Sequence, residues 1–351
     1  MDLDLVLFVD MDYFFAACEE LRHPEYKDKP LVVGTASIKN KEKGVVQTCN
    51  YVARKYGIRS AMSTANALKL KPDLIYLESD DRYYSDTSSK VMEALRKYGS
   101  KMEIVSIDEA ALELNNVDYE SGRAIADKVK SEINERLKLP CTIGISTSKI
   151  YAKMVCDTAK PNGIGLLKAE EIKDFLREKD VDKLLGVGRK TAEKLNGMKI
   201  KTIGELSKAD PIVLIDNFGI FGKELFLLAN GIDNSKIEES YDILSIGRER
   251  ALDATSNIKV IEPLMSSLVK EIMEEVRKNR VVFKTISVKA RYADFTDHIK
   301  NRSLNHYSDS EDVLYSNSIS LIKELARGNR VRKIGVRVSK LMGQKGQKKL
   351  F

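Results

Sequence analysis

Two apolar segments, each interrupted by acidic residues, constrain the fold of this chain more than any other feature. The segment from Leu3 to Phe15 (L-D-L-V-L-F-V-D-M-D-Y-F-F) predicts a buried strand that ends near Asp10 and leads into a helix. A second segment, E-I-V-S-I-D-E-A-A-L, places Asp108 and Glu109 side by side among apolar residues. Buried carboxylates are costly unless a cation neutralises them. We therefore expect Asp10, Asp108 and Glu109 to meet and to hold divalent metal ions.

The side chains available for metal binding favour magnesium over zinc. The chain has only three histidines, and its four cysteines (Cys18, Cys49, Cys141 and Cys156) include no C-x-x-C pair. Oxygen ligands select magnesium-like ions, and such ions held between carboxylates are suited to phosphoryl transfer. The cysteine spacing also predicts reduced thiols in a cytoplasmic protein.

Length and composition indicate a globular protein of several domains. The 351 residues are too many for one ordinary core and predict about two to four domains. The composition, 43% hydrophobic and 32% charged, is typical of a folded globular chain. Since no apolar run approaches the roughly 20 residues that cross a bilayer, we expect no membrane partner.

The net charge of +7 is distributed unevenly along the chain. Residues 247–351 carry 22 Lys and Arg against 12 Asp and Glu, which leaves 37 basic and 40 acidic residues in the larger part. A basic end and an acidic cluster elsewhere suit a polyanion that is bound by one part and acted on by another. The alternative is a solvated charged surface.

A candidate phosphate clamp lies on one short predicted helix. The stretch N-Y-V-A-R-K-Y-G predicts a helix that begins near Asn50, on which Tyr51 and Arg54 share a face. A guanidinium beside a phenol binds phosphate well, because Arg donates in a planar fork. Lys160 ends a later predicted helix. The alternatives are an exposed polar face for the pair and an ordinary helix-terminal cation for Lys160.

The middle of the chain contains a helix–hairpin–helix pattern. In L-L-G-V-G-R-K-T-A-E-K-L, Gly186 and Gly188 flank a valine, and Lys190 follows at the start of a helix. Such a hairpin exposes backbone N–H groups that bind phosphates without reading base sequence. A weaker second copy spans 217–225. We expect non-specific contact with a nucleic acid duplex here.

After a polar linker at 234–246, the pattern predicts the order β-α-β-β-α-β over 247–341. Apolar and basic residues alternate in the strands, so one face of the sheet is predicted to bury two helices and the other to lie along phosphates. The tail, 342–351, is basic and is expected to be disordered. The candidate contacts of this region are Arg248, Arg250, Lys289, Arg291, Lys333 and Arg337.

Together these motifs resemble a Y-family DNA polymerase of the DNA polymerase IV type, most like the archaeal members. The resemblance covers nearly the whole chain. It rests on motifs in the order and spacing of the family: V-D-M-D-Y-F-F, N-Y-V-A-R-K-Y-G, S-I-D-E-A, T-I-G-I-S, A-K-P-N-G and G-V-G-R-K-T-A-E-K-L.

The resemblance implies an α+β multidomain fold, a right-hand polymerase with a helical thumb that contains the helix–hairpin–helix and a βαββαβ little finger. The implied domains are palm at 1–12 and 78–167, small fingers at 13–77, thumb at 168–233, linker at 234–246, little finger at 247–341 and tail at 342–351.

The resemblance also assigns roles to residues of the candidate site. It implies that Asp10, Asp108 and Glu109, with the backbone carbonyl of Met11, hold two Mg²⁺ ions. The aromatic ring that excludes a 2′-hydroxyl is Phe15. Asp12 matches its motif but is given no role. The implied contacts of the incoming nucleotide are Thr48, Tyr51, Arg54 and Lys160.

The family resemblance implies template-directed addition of deoxynucleotides to a primer 3′-hydroxyl, with low fidelity, lesion bypass and no proofreading exonuclease. The implied partners are primer–template DNA and deoxynucleoside triphosphates, bound by a monomer. Many members end in a sliding-clamp peptide. Here Gln347 and Leu350 match that peptide, but the chain stops at Phe351 before its aromatic pair, so the motif is incomplete.

Two other functions use some of the same features. A nucleotidyl cyclase shares two-metal chemistry but needs neither a helix–hairpin–helix nor a basic sheet. A DNA-binding protein without catalysis would retain the acids for structural reasons. Primer extension with magnesium and single deoxynucleotides separates these alternatives from the polymerase.

Overall fold

A computed structural model describes residues 3–239 and 243–343. The chain forms two compact units, Met1–Glu239 and Ser240–Phe351. Within the described residues no helix is both long and apolar enough to cross a membrane. All four cysteines are buried free thiols.

The first unit is built around one central strand. Its strands are β1 (Leu3–Met11), β2 (Leu31–Gly34), β3 (Val46–Cys49), β4 (Ile75–Glu78), β5 (Lys101–Ile104), β6 (Glu109–Val117), β7 (Cys141–Ser146) and β8 (Ile164–Leu166). Five of them form a sheet in the order β5-β6-β1-β7-β8. Because β1 is paired on both sides and covered on both faces, it is apolar along almost its whole length.

Helices cover both faces of this sheet. On one face Leu5, Leu7 and Val9 pack in the largest core of the unit, and on the other Val6 and Phe8 form a smaller cluster. The helices are α1 (Phe14–Arg22), α2 (Tyr51–Lys55), α3 (Thr64–Leu70), α4 (Asp81–Leu95), α5 (Tyr119–Glu132), continued by a π-helical turn at Ile133–Leu137, and α6 (Lys149–Ala159).

Strands β2, β3 and β4 form a separate small sheet in the order β3-β2-β4. It has its own apolar cluster, which includes Val32, Ala53 and Ile58. The predicted helix at Asn50 is confirmed, since the Asn50 side chain accepts from the N–H of Ala53 and caps α2.

The last part of the first unit is helical, with its own core. At the predicted hairpin Gly186 has φ +91°, a backbone conformation that favours glycine. The second, weaker copy is also a helix pair joined by a glycine, Gly219. The helices are α7 (Ile172–Arg177), α8 (Arg189–Gly197), α9 (Ile203–Leu206), α10 (Pro211–Phe218) and α11 (Ile220–Ala229).

The second unit has the predicted βαββαβ order. It contains β9 (Ser245–Thr255), α12 (Ile258–Lys278), β10 (Val281–Tyr292), β11 (Asp297–Ser308), α13 (Glu311–Ala326), β12 (Val331–Ser339) and the short β13 (Met342–Gly343). The sheet order is β11-β10-β12-β9. The predicted alternation is confirmed, since Ile286, Val288, Ile334 and Val336 are all buried in one core with the two helices.

Two predictions at the ends of this unit were wrong in detail. The linker was expected to reach residue 246, but β9 already begins at Ser245, and Ile237 is buried against the first unit's sheet. The tail was expected to be disordered from residue 342, yet Met342 and Gly343 pair with Val282 and Val281. Backbone hydrogen bonds to the edge of β10 explain that order. Gln347 and Leu350 lie outside the described residues. The other predicted domain boundaries, at 12/13, 77/78, 167/168 and 233/234, stay predictions.

Candidate active site

The three predicted acids lie at one end of the central sheet. Asp10 is paired directly with Glu109 in the antiparallel ladder of β1 and β6. The N–H of Met11 donates to the carbonyl of Asp108 at 2.9 Å. Paired residues of antiparallel strands project to the same face, so the register brings the Asp10 and Glu109 side chains together.

Lys153, which the sequence did not single out, joins these two acids. Its Nζ donates to Asp10 Oδ2 at 2.6 Å and to Glu109 Oε1 at 2.7 Å. Lys160 Nζ lies 2.6 Å from the same Asp10 oxygen. Asp157 lies between the two lysines on the chain and pairs with both. The i, i+4 and i+7 spacing of Lys153, Asp157 and Lys160 could have indicated a shared helix face.

Asp108 does not join this cluster. Its Oδ1 accepts from Ser106 Oγ at 2.5 Å, and its backbone N–H also points to that hydroxyl. Across the part of the chain that the structure describes, no three or more His, Cys, Asp or Glu side chains are grouped to hold a metal. The structure therefore brings two of the three predicted acids onto one cation and leaves the third on a neighbouring serine.

Burial and the lysines shift the pKa values of the acids in opposite directions. Burial raises the pKa of Asp10, but the charges and hydrogen bonds of Lys153 and Lys160 outweigh it and hold that pKa below its ordinary value. For Glu109 burial dominates, and its pKa is raised despite Lys153. Burial lowers the pKa of Lys153, but Asp10 and Glu109 raise it by more than burial lowers it. The pKa is therefore above its ordinary value, and the ammonium remains charged.

The donor set fits a divalent cation. Asp10 and Glu109 already converge on one positive charge, and both supply the hard oxygens that magnesium-like ions prefer. Asp108 is held at the same strand end by the hydrogen bond from Met11. The carbonyl of Met11 is the fourth predicted ligand, and Met11 itself is buried.

Asp12, which was given no role, is a structural anchor. It is almost fully buried, accepts from Thr142 Oγ1 at 2.9 and 3.0 Å, and accepts from the N–H of Asn162 at 2.7 Å. Burial raises its pKa. These bonds connect the end of β1 to β7 and to the turn that follows Lys160, so Asp12 helps to fix the position of that lysine.

Tyr51 and Arg54 lie on one face of α2, as predicted. The Arg54 guanidinium carbon is 4.7 Å from the centre of the Tyr51 ring, and its Nε donates to the carbonyl of Cys49 at 3.2 Å. Burial raises the pKa of Tyr51, and the charges of Asp12, Arg54 and Lys160 are close enough to affect it. The Tyr51 phenol, which the Arg54 guanidinium contacts, is thus within the electrostatic influence of Lys160.

Phe15 and Thr48 lie on elements that border the same region. Phe15, on the first turn of α1, stacks on Tyr84 with ring centres 4.5 Å apart. Thr48 is buried on β3, opposite Val33 of β2. The Phe15 ring is held by this stacking, and the Thr48 side chain is buried.

The helix–hairpin–helix exposes its backbone as predicted. Gly186, Gly188 and Lys190 are all exposed. Gly188 caps α8, and a side chain there would meet nothing within 4 Å. Open space in front of the helix start leaves its N–H groups accessible to an anion.

The predicted basic face of the second unit is only partly as expected. Arg248 and Arg250 pair in register with buried Val336 and Ile334, so they lie on the helix-bearing face, where their partners are Glu275 and Glu271 of α12. Alternation in β9 thus places these two arginines on the face opposite to the other four candidates.

The remaining candidates lie on the open face, and three of the four are paired. Lys289 contacts both Glu249 (3.2 Å) and Asp297 (3.3 Å), Lys333 pairs with Glu249, and Arg291 pairs with Asp297 at 2.6 Å. Arg337 forms no ion pair among the residues described. The face therefore carries more acid than its basic candidates indicated.

Known proteins resemble this chain at the level of sequence families, individual relatives and solved structures. The impB/mucB/samB family matches residues 9–157, the IMS family HHH motif matches 169–200, and the impB/mucB/samB C-terminal domain matches 244–350. DNA polymerase IV 1 of Methanosarcina mazei is 37% identical over 99% of this chain and 98% of its own length. DNA polymerase IV of Lactococcus lactis subsp. cremoris is 35% identical, covering 95% and 93%.

Solved structures of Y-family DNA polymerases are also similar to this chain. A Y-family DNA polymerase chimera is 33% identical, covers 97% of this chain and 100% of its own, and has a TM-score of 0.89. DinB from Sulfolobus solfataricus matches with the same identity and coverage and a TM-score of 0.65. The predicted α+β multidomain fold and the family resemblance are confirmed. The chain belongs to the Y-family of DNA polymerases, of the DNA polymerase IV type.

Proposed function

We propose that this chain is a template-directed DNA polymerase that adds deoxynucleotides to a primer 3′-hydroxyl, copies across lesions with low fidelity and has no proofreading exonuclease. Family membership gives the reaction class. The observation that carries the proposal to this chain is the convergence of Asp10 and Glu109 on one cation beside Lys160. In the reaction the primer oxygen bonds to the α-phosphorus, and the bond to the departing pyrophosphate breaks.

We further propose that Asp10, Asp108, Glu109 and the Met11 carbonyl hold the metal, as two Mg²⁺ ions. When bound, such ions lower the pKa of the attacking hydroxyl and offset charge on the triphosphate. Asp108 reaches the site by exchanging its Ser106 partner, which lies two residues away in a half-buried bend.

The triphosphate is held by Tyr51, Arg54 and Lys160 in this proposal. Arg54 supplies a planar pair of donors, and Tyr51 lies beneath the guanidinium at 4.7 Å. Lys160 is fixed near Asp10 by the Asp12 anchor. Phe15 contacts the sugar and excludes a 2′-hydroxyl, and Thr48 borders the nucleotide.

Primer–template DNA is the proposed partner of the basic and hairpin surfaces. Gly186, Gly188 and Lys190 bind duplex phosphates through backbone and ammonium donors. In the second unit we assign this role to Lys289, Arg291, Lys333 and Arg337, and we assign Arg248 and Arg250 to the side of α12 instead. We expect a cytoplasmic monomer, and binding of a sliding clamp through Gln347 and Leu350 stays a prediction.

Primer extension tests this function directly. With a primer–template and single deoxynucleotides, the wild-type protein should add the templated nucleotide in Mg²⁺ and none in excess EDTA. A protein that binds the duplex but extends no primer would contradict the proposal and favour the non-catalytic alternative. Pyrophosphate release from a nucleotide without DNA would favour the cyclase.

A further inference from the structure

Lys153 contacts the two acids that converge at the site. Its ammonium lies 2.6 Å from Asp10 Oδ2 and 2.7 Å from Glu109 Oε1, and its side chain is only 13% exposed. The Phe8 ring lies below it, 5.1 Å from Nζ to the ring centre. A cation is thus already held by two of the four proposed metal ligands.

The position of Lys153 affects both the repulsion between Asp10 and Glu109 and the binding of a metal ion by these two acids. Asp10 and Glu109 face each other across two paired strands, and two carboxylates so close and so poorly solvated repel each other unless a cation lies between them. A divalent ion that binds the same two oxygens brings a second positive charge into contact distance of the ammonium. The repulsion at that distance is large in a partly buried site, so the two cations compete.

Asp157 offers the displaced ammonium another partner. It follows Lys153 by one helical turn on α6, with Oδ1 already 3.1 Å from Nζ, and its side chain is 50% exposed. It also lies 3.3 Å from Lys160 Nζ. A change of the Lys153 side-chain conformation, without movement of the helix, is enough to transfer the ammonium fully to Asp157.

We propose that Lys153 is an internal counter-ion of the metal site, which holds Asp10 and Glu109 together in the metal-free protein and moves to Asp157 when a divalent cation binds. Lys153 is then a positioning residue that preorganises the carboxylates at some cost in metal affinity. The inference rests on the proposed function, because that function is what gives the two acids a metal to bind.

Manganese binding to the full-length protein, without DNA or nucleotide, tests the exchange. The electron paramagnetic resonance signal of free Mn²⁺ gives the dissociation constant for wild type, Lys153→Met and Asp157→Asn. Lys153→Met should bind Mn²⁺ roughly tenfold more tightly, because removal of one close charge commonly shifts an ionic equilibrium of a carboxylate by about 10-fold or more. Asp157→Asn, at an exposed position, should bind it more weakly because the displaced ammonium loses its acceptor.

Lys149→Met is the matched control. Lys149 lies one turn earlier on α6 and forms a similar ion pair with the buried Glu103, at 2.6 Å. Its loss should lower the melting temperature with and without Mn²⁺ and leave the Mn²⁺ dissociation constant unchanged. Lys153→Met should instead melt lower in EDTA and recover when Mn²⁺ is added.

Three results would overturn the proposal: Mn²⁺ affinity of Lys153→Met equal to or below wild type, an equal shift in Lys149→Met, or no Mn²⁺ binding by any variant.

Wild-type primer extension, measured in parallel, separates a failure of the counter-ion proposal from a failure of the proposed function. If extension fails while Lys153→Met binds Mn²⁺ more tightly, the counter-ion stands and the polymerase assignment falls. If extension succeeds with unchanged Mn²⁺ affinity, only the counter-ion role is refuted.

Discussion

Phe15, which we propose as the residue that excludes a 2′-hydroxyl, is packed like an ordinary core residue. Its ring is stacked 4.5 Å from Tyr84, and Tyr84 is itself fully buried with its hydroxyl bonded to Glu19 at 2.7 Å. Stacking on an immobile ring fixes the position of Phe15. A side chain so fixed can exclude one additional hydroxyl from a neighbouring sugar, because it cannot move aside.

Phe15→Ala should therefore admit ribonucleotides. We expect discrimination between deoxy- and ribonucleotides, measured as the ratio of kcat/KM, to fall by roughly 10–100-fold, the range over which pocket shape separates small differences. Phe175→Ala, which truncates a half-buried phenylalanine of α7, is the control and should leave the ratio unchanged. Unaltered sugar discrimination in Phe15→Ala would remove the assignment.

The acids of the site could be predicted from the sequence, but their cations could not. Asp108 and Glu109 stand out because they interrupt an apolar segment, which is a local signal. Lys153 is one of two lysines on α6, and its contact with Asp10 depends on how α6 packs against β1. The Ser106 partner of Asp108 and the anchoring bonds of Asp12 are likewise tertiary details. Local sequence therefore identifies charged groups more readily than their partners.

At the scale of elements, one carboxylate connects two of the helices that cover the central sheet, α4 and α5. Glu132, at the end of α5, accepts from Lys97 and Tyr98, which directly follow α4. The hydrogen bonds from Lys97 and then Tyr98 lower the Glu132 pKa from 4.5 to about 2. The folded state thus binds a proton less readily than the unfolded chain, so this stabilisation is present above pH 4.5 and is lost as the pH falls towards 2.

The free energy of unfolding should accordingly fall on acidification through this window, and Glu132→Gln should flatten that part of the profile. Urea unfolding at a series of pH values measures it. Glu135→Gln is the control, since Glu135 is in the next turn and accepts from Ser131 instead. Equal pH profiles for wild type and Glu132→Gln would contradict the assignment.

The open face of the second unit's sheet contains its own acids. Glu249 holds both Lys289 and Lys333, and burial raises the pKa of Glu249 less than these two lysines lower it. Phosphates that approach this face must compete with the Glu249 carboxylate for the same lysines.

Glu249→Gln should strengthen DNA binding by on the order of 0.5–1 kcal/mol, the worth of a partly exposed ion pair. Fluorescence anisotropy with a labelled primer–template measures the change. Glu275→Gln makes the same change of charge on the helix-bearing face, beside Arg248, and should have a smaller effect. If the two variants gain equally, the open face is not the binding surface.

Secondary structure was predictable where the hydrophobic period was long and regular. The helices α4, α5 and α12 and the strands of the second unit were expected from such periods, and the structure confirms them. In β9 the face of Arg248 and Arg250 is indicated only by Ile246 and Leu252, which share their alternation and pack with the core of the unit; the two arginines between them obscure that pattern. The order of Met342 and Gly343 depends on an open strand edge, which no local pattern indicates.

The whole molecule divides charge between its two compact units. The first unit contains the acidic cluster and is slightly negative overall, whereas the second unit is strongly positive. Each has its own buried core, so each is expected to fold without the other. The domain boundaries within the first unit could be assigned only through the family resemblance, because its elements return to the central sheet from distant parts of the chain.

Removal of the second unit should weaken DNA binding and reduce its dependence on salt. For a chain that ends at Glu239, the slope of log affinity against log salt should fall by about 0.9 for each phosphate that the shortened chain no longer neutralises. Anisotropy titrations across a salt series measure the slope, and thermal unfolding checks that the first unit is folded. A slope equal to that of the full chain would show that the basic unit does not bind the phosphates.

The most direct test of the account is single-nucleotide primer extension by Asp108→Ala, with DNA affinity measured on the same preparation. Asp108 is the proposed ligand that the structure places on Ser106 rather than on Lys153. We predict that extension falls by at least about 10³-fold, a loss of roughly 4 kcal/mol in transition-state stabilisation, while primer–template affinity stays within twofold of wild type. A variant that retains most of its extension rate would contradict the metal site.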